Sequence, residues 1–104
     1  NASGVYCASE DELNFLNNIE TSAIITKSCT IEKRIGNPLP RYYDSDILSI
    51  NSSGLPNNGY EFYNDFAKNK KLNKPYIVSV SGLCEKDNLD IIQKLSENKY
   101  ISGI

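Results

Sequence analysis

The sequence predicts an α/β protein built on parallel strands, and within that class the opening part of a TIM (β/α)8 barrel. Three observations lead there. The apolar runs "SAIITKS" (22–28) and "KPYIVSVSG" (74–82) show no polar alternation, as suits strands buried on both faces of a parallel sheet. Amphipathic helical patterns lie between such runs. The order reads strand end, helix, strand, irregular excursion, helix, strand, helix, strand start, and this alternation implies parallel strands covered by helices. Finally, 104 residues fall far short of the about 250 that a whole barrel needs. Residues 1–104 are therefore expected to form the N-terminal part of a single barrel domain, covering about its first three β/α units.

Each element has a local reason. "NASGV" (1–5) reads as a strand end, where small residues let a ligand approach the backbone. "SEDELNFLNNIE" (9–20) reads as a helix, with Ser9 as its cap and Glu12 completing a capping box. Leu13, Leu16 and Ile19 recur on its face at helical spacing. Residues 29–50 have no clear period and carry Gly36, Pro38 and Pro40, which suggests an irregular insertion, with a hairpin in it, over the active-site end. "YEFYNDFAKNKKL" (60–72) is helical: Phe62, Tyr63, Phe66 and Ala67 share a face, and Lys68, Lys70 and Lys71 suit its C-terminal end. Asn58 is the expected N-cap of that helix. "CEKDNLDIIQKLSENK" (84–99) is a third helix, with Asn88, Ile91, Ile92 and Leu95 on one side, and "YISGI" (100–104) starts another strand.

Composition narrows the function classes. The chain is 39% hydrophobic and 23% charged, with a net charge of −2. No basic stripe points to nucleic acid, and no apolar run reaches the about 18–20 residues of a membrane helix. No signal peptide opens the chain, so a cytoplasmic protein is expected. The Tyr-rich stretches "RYYD" and "YEFY" suit core or dimer packing better than base stacking. Cys7, Cys29 and Cys84 are widely spaced and histidine is absent. This argues against a metal site and against any His base or triad. The cysteines read as free thiols filling small packing positions.

In a barrel, functional residues gather at the C-terminal ends of strands. Three such ends occur: "NASG", "TKS" and "SVSG". Lys27 in the second either points its charge into the barrel mouth, toward an anion, or is a surface lysine that ends a strand. Arg34 and Arg41 flank the stiff "IGNPLP", and either serve the site or are ordinary loop charges. "NSSGLPNNG" (51–59) offers backbone N–H groups in a glycine-containing turn, suited to a carboxylate or phosphate, or is a plain turn before a helix.

Taken together and in order, "NASGVYC", "TKSCTIEKRIGNPLPRY" and "SINSSGLPNNG", followed by "SVSG" and "SGI", resemble the N-terminal part of the class 1A dihydroorotate dehydrogenases. The resemblance implies an enzyme with FMN as its cofactor. It would oxidise (S)-dihydroorotate to orotate in pyrimidine (UMP) synthesis, with fumarate as the final electron acceptor, and would work as a cytoplasmic homodimer. It implies that Ala2, Ser3 and Gly4 lie along the flavin, that Lys27 touches both flavin and substrate, and that Ser28 contacts FMN. A cation beside the flavin favours hydride acceptance. Asn51 would hydrogen-bond the pyrimidine, and the turn Ser52, Ser53, Gly54, Leu55 would cradle the substrate carboxylate. Arg34 and Arg41 match positions near the loop over the site. The family's base cysteine belongs to an N-x-S-C-P-N motif that these residues do not contain. No catalytic residue is therefore assigned here, and the segment alone is expected to be inactive. Ser53 stands where the family's turn usually has methionine. The alternatives are the related NAD-linked class 1B enzymes, which use an iron–sulfur partner, and a non-catalytic flavin- or pyrimidine-binding homologue.

Overall fold

The computed structural model describes residues 1–4 and 6–104. It is an open α/β layer with seven elements: α1 (Glu10–Asn18), β1 (Ile24–Ile25), β2 (Tyr42–Asp44), β3 (Ser49–Asn51), α2 (Tyr60–Asn69), β4 (Tyr76–Ile77) and α3 (Glu85–Ser96). β1 and β4 pair in parallel, Ile24 beside Tyr76 and Ile25 beside Ile77. Parallel bridges at Cys29–Val80 and Ile77–Gly103 extend this pairing. The second bridge brings "YISGI" against β4 as a third parallel segment, as the sequence predicts. No closed barrel forms among the described residues.

The expected strand end at residues 1–5 takes another form. Residues 3 and 4 turn, and Val5 lies outside the described residues. The Asn1 side chain does a strand's work at the edge of β1: its Oδ1 accepts the Ile25 N–H at 2.9 Å and its Nδ2 donates to the Ile25 carbonyl at 2.8 Å. An amide side chain carries the same donor and acceptor as a peptide, so it can satisfy an edge residue.

The helices form where their caps and faces dictate. Ser9 Oγ accepts the Glu12 N–H, and Glu12 Oε2 accepts the N–H groups of Ser9 and Ala8, which is the expected capping box. At the other end, α1 has no basic residue in its last turn. Lys74, far along the chain, fills that role by donating to the carbonyls of Leu16 and Ile19. Leu13 and Leu16 are buried and Ile19 packs against the core. On α2, Tyr63, Phe66 and Ala67 are buried with Phe62 packed beside them, as the spacing predicts.

Three expectations need correction. Gly59, not Asn58, is the N-cap of α2, at φ +80° with no side-chain cap. The chain enters the helix through a left-handed residue pressed against Ile31 and Lys33 backbone; Asn58 instead donates to the Ala8 carbonyl at 2.8 Å. On α3, Ile91 and Leu95 are buried but Ile92 is exposed. Cys84, at the start of α3, is exposed and so fills no packing position, whereas Cys7 and Cys29 are buried core residues.

The core lies between the parallel strands and the helices. Tyr63 and Tyr76 are fully buried, and each hydroxyl donates to a carbonyl, Ala8 and Tyr63 respectively. The rings of Phe66 and Tyr76 stack at 5.8 Å. Large side chains of this kind contribute about 1.5–3 kcal/mol each on burial. Beyond the core, β2 and β3 form an exposed antiparallel hairpin, Tyr43 opposite Ile50. No described helix is long and apolar enough to cross a membrane.

Candidate functional site

The site follows from the parallel register, which brings the C-terminal ends of the strands together. Ser28 follows β1 and Ser79 follows β4, and their hydroxyls lie 2.8 Å apart. Ser3 closes the row, its hydroxyl 3.0 Å from that of Ser28. Thr26 supports the pair from within: it is buried, and its Oγ1 accepts the Ser79 N–H. Small hydroxyl residues thus link the ends of β1 and β4 to the turn at residues 3 and 4.

Beside this row is a cleft of about 320 Å³ lined by Gly4, Lys27, Arg34, Ser53, Pro56 and Asn57, with Ala8 and Asn58 at its edge. Two cations line it and no carboxylate does. Lys27 is half-buried, and its backbone N–H donates to the Cys7 carbonyl at 2.8 Å. Among the described residues the one ion pair, Lys70 with Glu10, lies elsewhere. A half-buried ammonium in a cleft without a counter-charge favours an anionic ligand. Gly4 sits at φ +131° with open space on the side where a Cβ would stand. Its backbone is bare to whatever enters the cleft.

The turn at residues 52–55 has its carbonyls drawn toward the protein. The Ser52 carbonyl accepts from Asn37 Nδ2, that of Ser53 from the Asn37 N–H, that of Gly54 from Arg34 Nε, and that of Leu55 from Asn57 Nδ2. The Ser52 N–H donates to the Arg41 carbonyl, and the Ser53 N–H to Asn51 Oδ1. The N–H groups of Gly54 and Leu55 meet no acceptor among the described residues. Both residues have positive φ, +72° and +55°. A turn that uses its carbonyls internally and leaves N–H groups free suits an anion.

The structure therefore brings together Gly4, Lys27 and Ser53 around one cleft and bonds Ser3 to Ser28. Ser52, Gly54 and Leu55 sit in the adjoining turn. Ala2 and Asn51 are exposed and line no part of that cleft. Arg34 reaches the cleft but spends its Nε on the Gly54 carbonyl, and Arg41 donates to the carbonyls of Ile35 and Asn37. Both arginines brace the turn and the preceding loop. Ser79 and Asn57 belong to this site although sequence reasoning did not single them out. Each lies within a stretch that the sequence does single out, Ser79 in "SVSG" and Asn57 in "NSSGLPNNG", but neither residue is marked within it.

Cys7 and Cys29 offer no nucleophile or base. Burial pushes the Cys29 thiol up to about 12 and raises that of Cys7, and a protonated buried thiol is unreactive.

Comparison with known proteins extends this geometry. The family model described as dihydroorotate dehydrogenase matches residues 1–104. The chain is 44% identical to dihydroorotate dehydrogenase A (fumarate) of Lactococcus lactis subsp. lactis, the match covering 100% of this chain and 34% of that protein. It is 43% identical to dihydroorotate dehydrogenase (fumarate) of Lachancea kluyveri, over 96% of this chain and 33% of that protein. The Saccharomyces cerevisiae protein of the same name is 40% identical over 96% of the chain. The chain thus spans about a third of the length of the curated relatives it matches.

Proposed function

The chain belongs to the dihydroorotate dehydrogenase family, and from that premise we propose that the protein carrying it oxidises (S)-dihydroorotate to orotate for pyrimidine synthesis. FMN is the hydride acceptor of the proposal and fumarate the final electron acceptor. The observation that supports it most is the cleft lined by Lys27 and Arg34 with no carboxylate, since both the substrate and a flavin phosphate are anions. Relatives named for fumarate at 40–44% identity favour that acceptor over NAD. A completed (β/α)8 barrel, a homodimer and a cytoplasmic location belong to the same proposal, as does the reading of residues 29–50 as an insertion over the site.

The donor set fits FMN. The bare backbone at Gly4 leaves room for a flat ring, and the hydroxyls of Ser3, Ser28 and Ser79 can donate or accept. When bound, FMN supplies the acceptor for the hydride that dihydroorotate gives up. The chain's own residues bind and orient. Ala2, Ser3 and Gly4 support the cofactor through their backbone, and Ser28 through its hydroxyl. Lys27 supplies a positive charge to cofactor and substrate. In the turn from Ser52 to Leu55, the free N–H groups of Gly54 and Leu55 are offered to the substrate carboxylate, selecting it without a bulky counter-charge. Asn51 holds the pyrimidine ring. Ser53 in place of methionine leaves the turn's role intact, because the free N–H groups belong to Gly54 and Leu55 while that of Ser53 donates to Asn51 Oδ1. The proton acceptor lies outside these residues, consistent with the buried, raised thiols of Cys7 and Cys29.

The test uses the full-length protein. Anaerobic addition of dihydroorotate should bleach the flavin absorbance, and fumarate should restore it. Unchanged absorbance with dihydroorotate would overturn the proposal; recovery with NAD but not fumarate would overturn the assignment of the acceptor.

A further inference from the structure

We infer that Asn57 is a positioning residue: it sets the peptide orientation of the 53–55 turn and so determines whether the site selects a carboxylate. The ligand in this inference rests on the proposed function; the conformation of the turn does not.

Asn57 is 4% exposed and its amide is saturated. Oδ1 accepts the N–H groups of Thr30 at 3.2 Å and Gly59 at 2.8 Å. Nδ2 donates to the Leu55 carbonyl at 2.9 Å and to Thr30 Oγ1 at 3.0 Å. The Thr30 hydroxyl proton is engaged by the Glu32 carbonyl, so Thr30 Oγ1 is free to accept. Three of these partners are backbone groups that can only donate or only accept, so the amide has one orientation. The Asn57 backbone is fastened as well, by paired hydrogen bonds with Arg34 at 2.9 and 3.0 Å.

This fixed group acts on a strained neighbour. Leu55 has φ +55°, a conformation disfavoured for a residue with a Cβ, which persists only where its surroundings over-determine it. The donors on the other turn carbonyls are an exposed residue, Asn37, and the half-buried Arg34. Asn57 is the buried one, and it holds the carbonyl of the strained residue itself. Without the Leu55 contact, the turn can relax to negative φ. Its peptide planes then rotate, and the free N–H groups of Gly54 and Leu55 rotate with them.

The experiment uses the full-length, flavin-loaded protein with Asn57→Ser and Asn57→Asp. Both remove the donor to Leu55; the second is isosteric and keeps the acceptor. Affinities for orotate and for uracil, the same ring without the carboxylate, are read from flavin absorbance shifts, and the Asn57→Ser crystal structure is determined. In both variants orotate affinity should fall by about tenfold or more, the scale of one lost hydrogen bond to a charge, and uracil affinity should hold within about twofold. Leu55 should leave the left-handed region. Equal losses for both pyrimidines, unchanged orotate affinity, or a loss confined to Asn57→Asp (charge repulsion alone) would each overturn the inference. If the unmodified protein binds no orotate, the proposed function falls. The crystal structure then still decides, since an unaltered Leu55 overturns the positioning role.

Discussion

The hydroxyls of Ser28 and Ser79 lie 2.8 Å apart across 51 residues of sequence. Two neighbouring strand ends are joined there through side chains, directly beside Lys27. Ser79→Ala breaks this joint without touching the core. It should lower apoprotein stability by no more than about 0.5–1.5 kcal/mol, the range for one hydrogen bond, and should loosen flavin by a few-fold. Flavin release followed by fluorescence checks this, and unaltered retention removes Ser79 from the site.

Lys27 is the charge that the cleft is built around. Lys27→Ala should slow flavin reduction by dihydroorotate by about 10²-fold or more, the range for removing a preorganised electrostatic group. Lys27→Arg, which keeps the charge on a different geometry, should fall between. Anaerobic stopped-flow absorbance measures both, and a variant with an unchanged rate would show that Lys27 does not contact the reacting groups.

The Glu12 carboxylate gives a pH signature. The N–H groups of Ser9 and then Ala8 hold its pKa below the ordinary value of 4.5. A depressed folded-state pKa contributes stability that is present above the unfolded value and is lost as pH falls through the folded one. Glu12→Gln should therefore cost about 0.5–1 kcal/mol at neutral pH, as for a weakened cap, and the gap to wild type should close in acid. Urea midpoints at neutral pH and below pH 4 test the sign. A gap that widens on acidification would show that the capping box does not set it.

Gly36 couples the loop to the turn. At φ +87°, a Cβ there would overlap the Ser53 carbonyl oxygen and the Arg41 guanidinium. Gly36→Ala should cost about 2–3 kcal/mol, combining backbone strain with displaced hydrogen bonds, and should weaken orotate binding. Chemical denaturation and a binding titration read the two effects; stability within about 0.5 kcal/mol of wild type, the range of a neutral surface change, contradicts it.

What was legible in the sequence depended on the range of the interaction. The capping box of Ser9 and Glu12 spans three residues, and the apolar faces of α1 and α2 repeat every turn, so both could be read directly. The N-cap of α2 could not. Asn58 has a good capping chemistry, but its amide is engaged by Ala8, 50 residues away, and tertiary contact overrode local preference. Ile92 shares a helical period with Ile91 and Leu95 yet stays exposed, because no described element covers that side of α3. The sequence leaves Arg34 and Arg41 open between site residues and ordinary loop charges. The structure uses both on backbone carbonyls that only the folded loop brings within reach.

The sequence by itself determined the parallel α/β order, the helix boundaries set by short-range caps and periodicity, and the motifs at 1–7, 26–42 and 49–59 that mark the family. These rest on residues a few positions apart, whose interactions are set by backbone geometry before the chain folds. Only the tertiary structure decided that Gly4, Lys27 and Ser53 share one cleft without a carboxylate, that Ser79 completes the hydroxyl row, and that Asn57 holds Leu55 left-handed. Each of these depends on the register of β1 against β4 or on the hydrogen bonds that tie Asn57 to Thr30, contacts whose partners lie 52 and 27 residues apart.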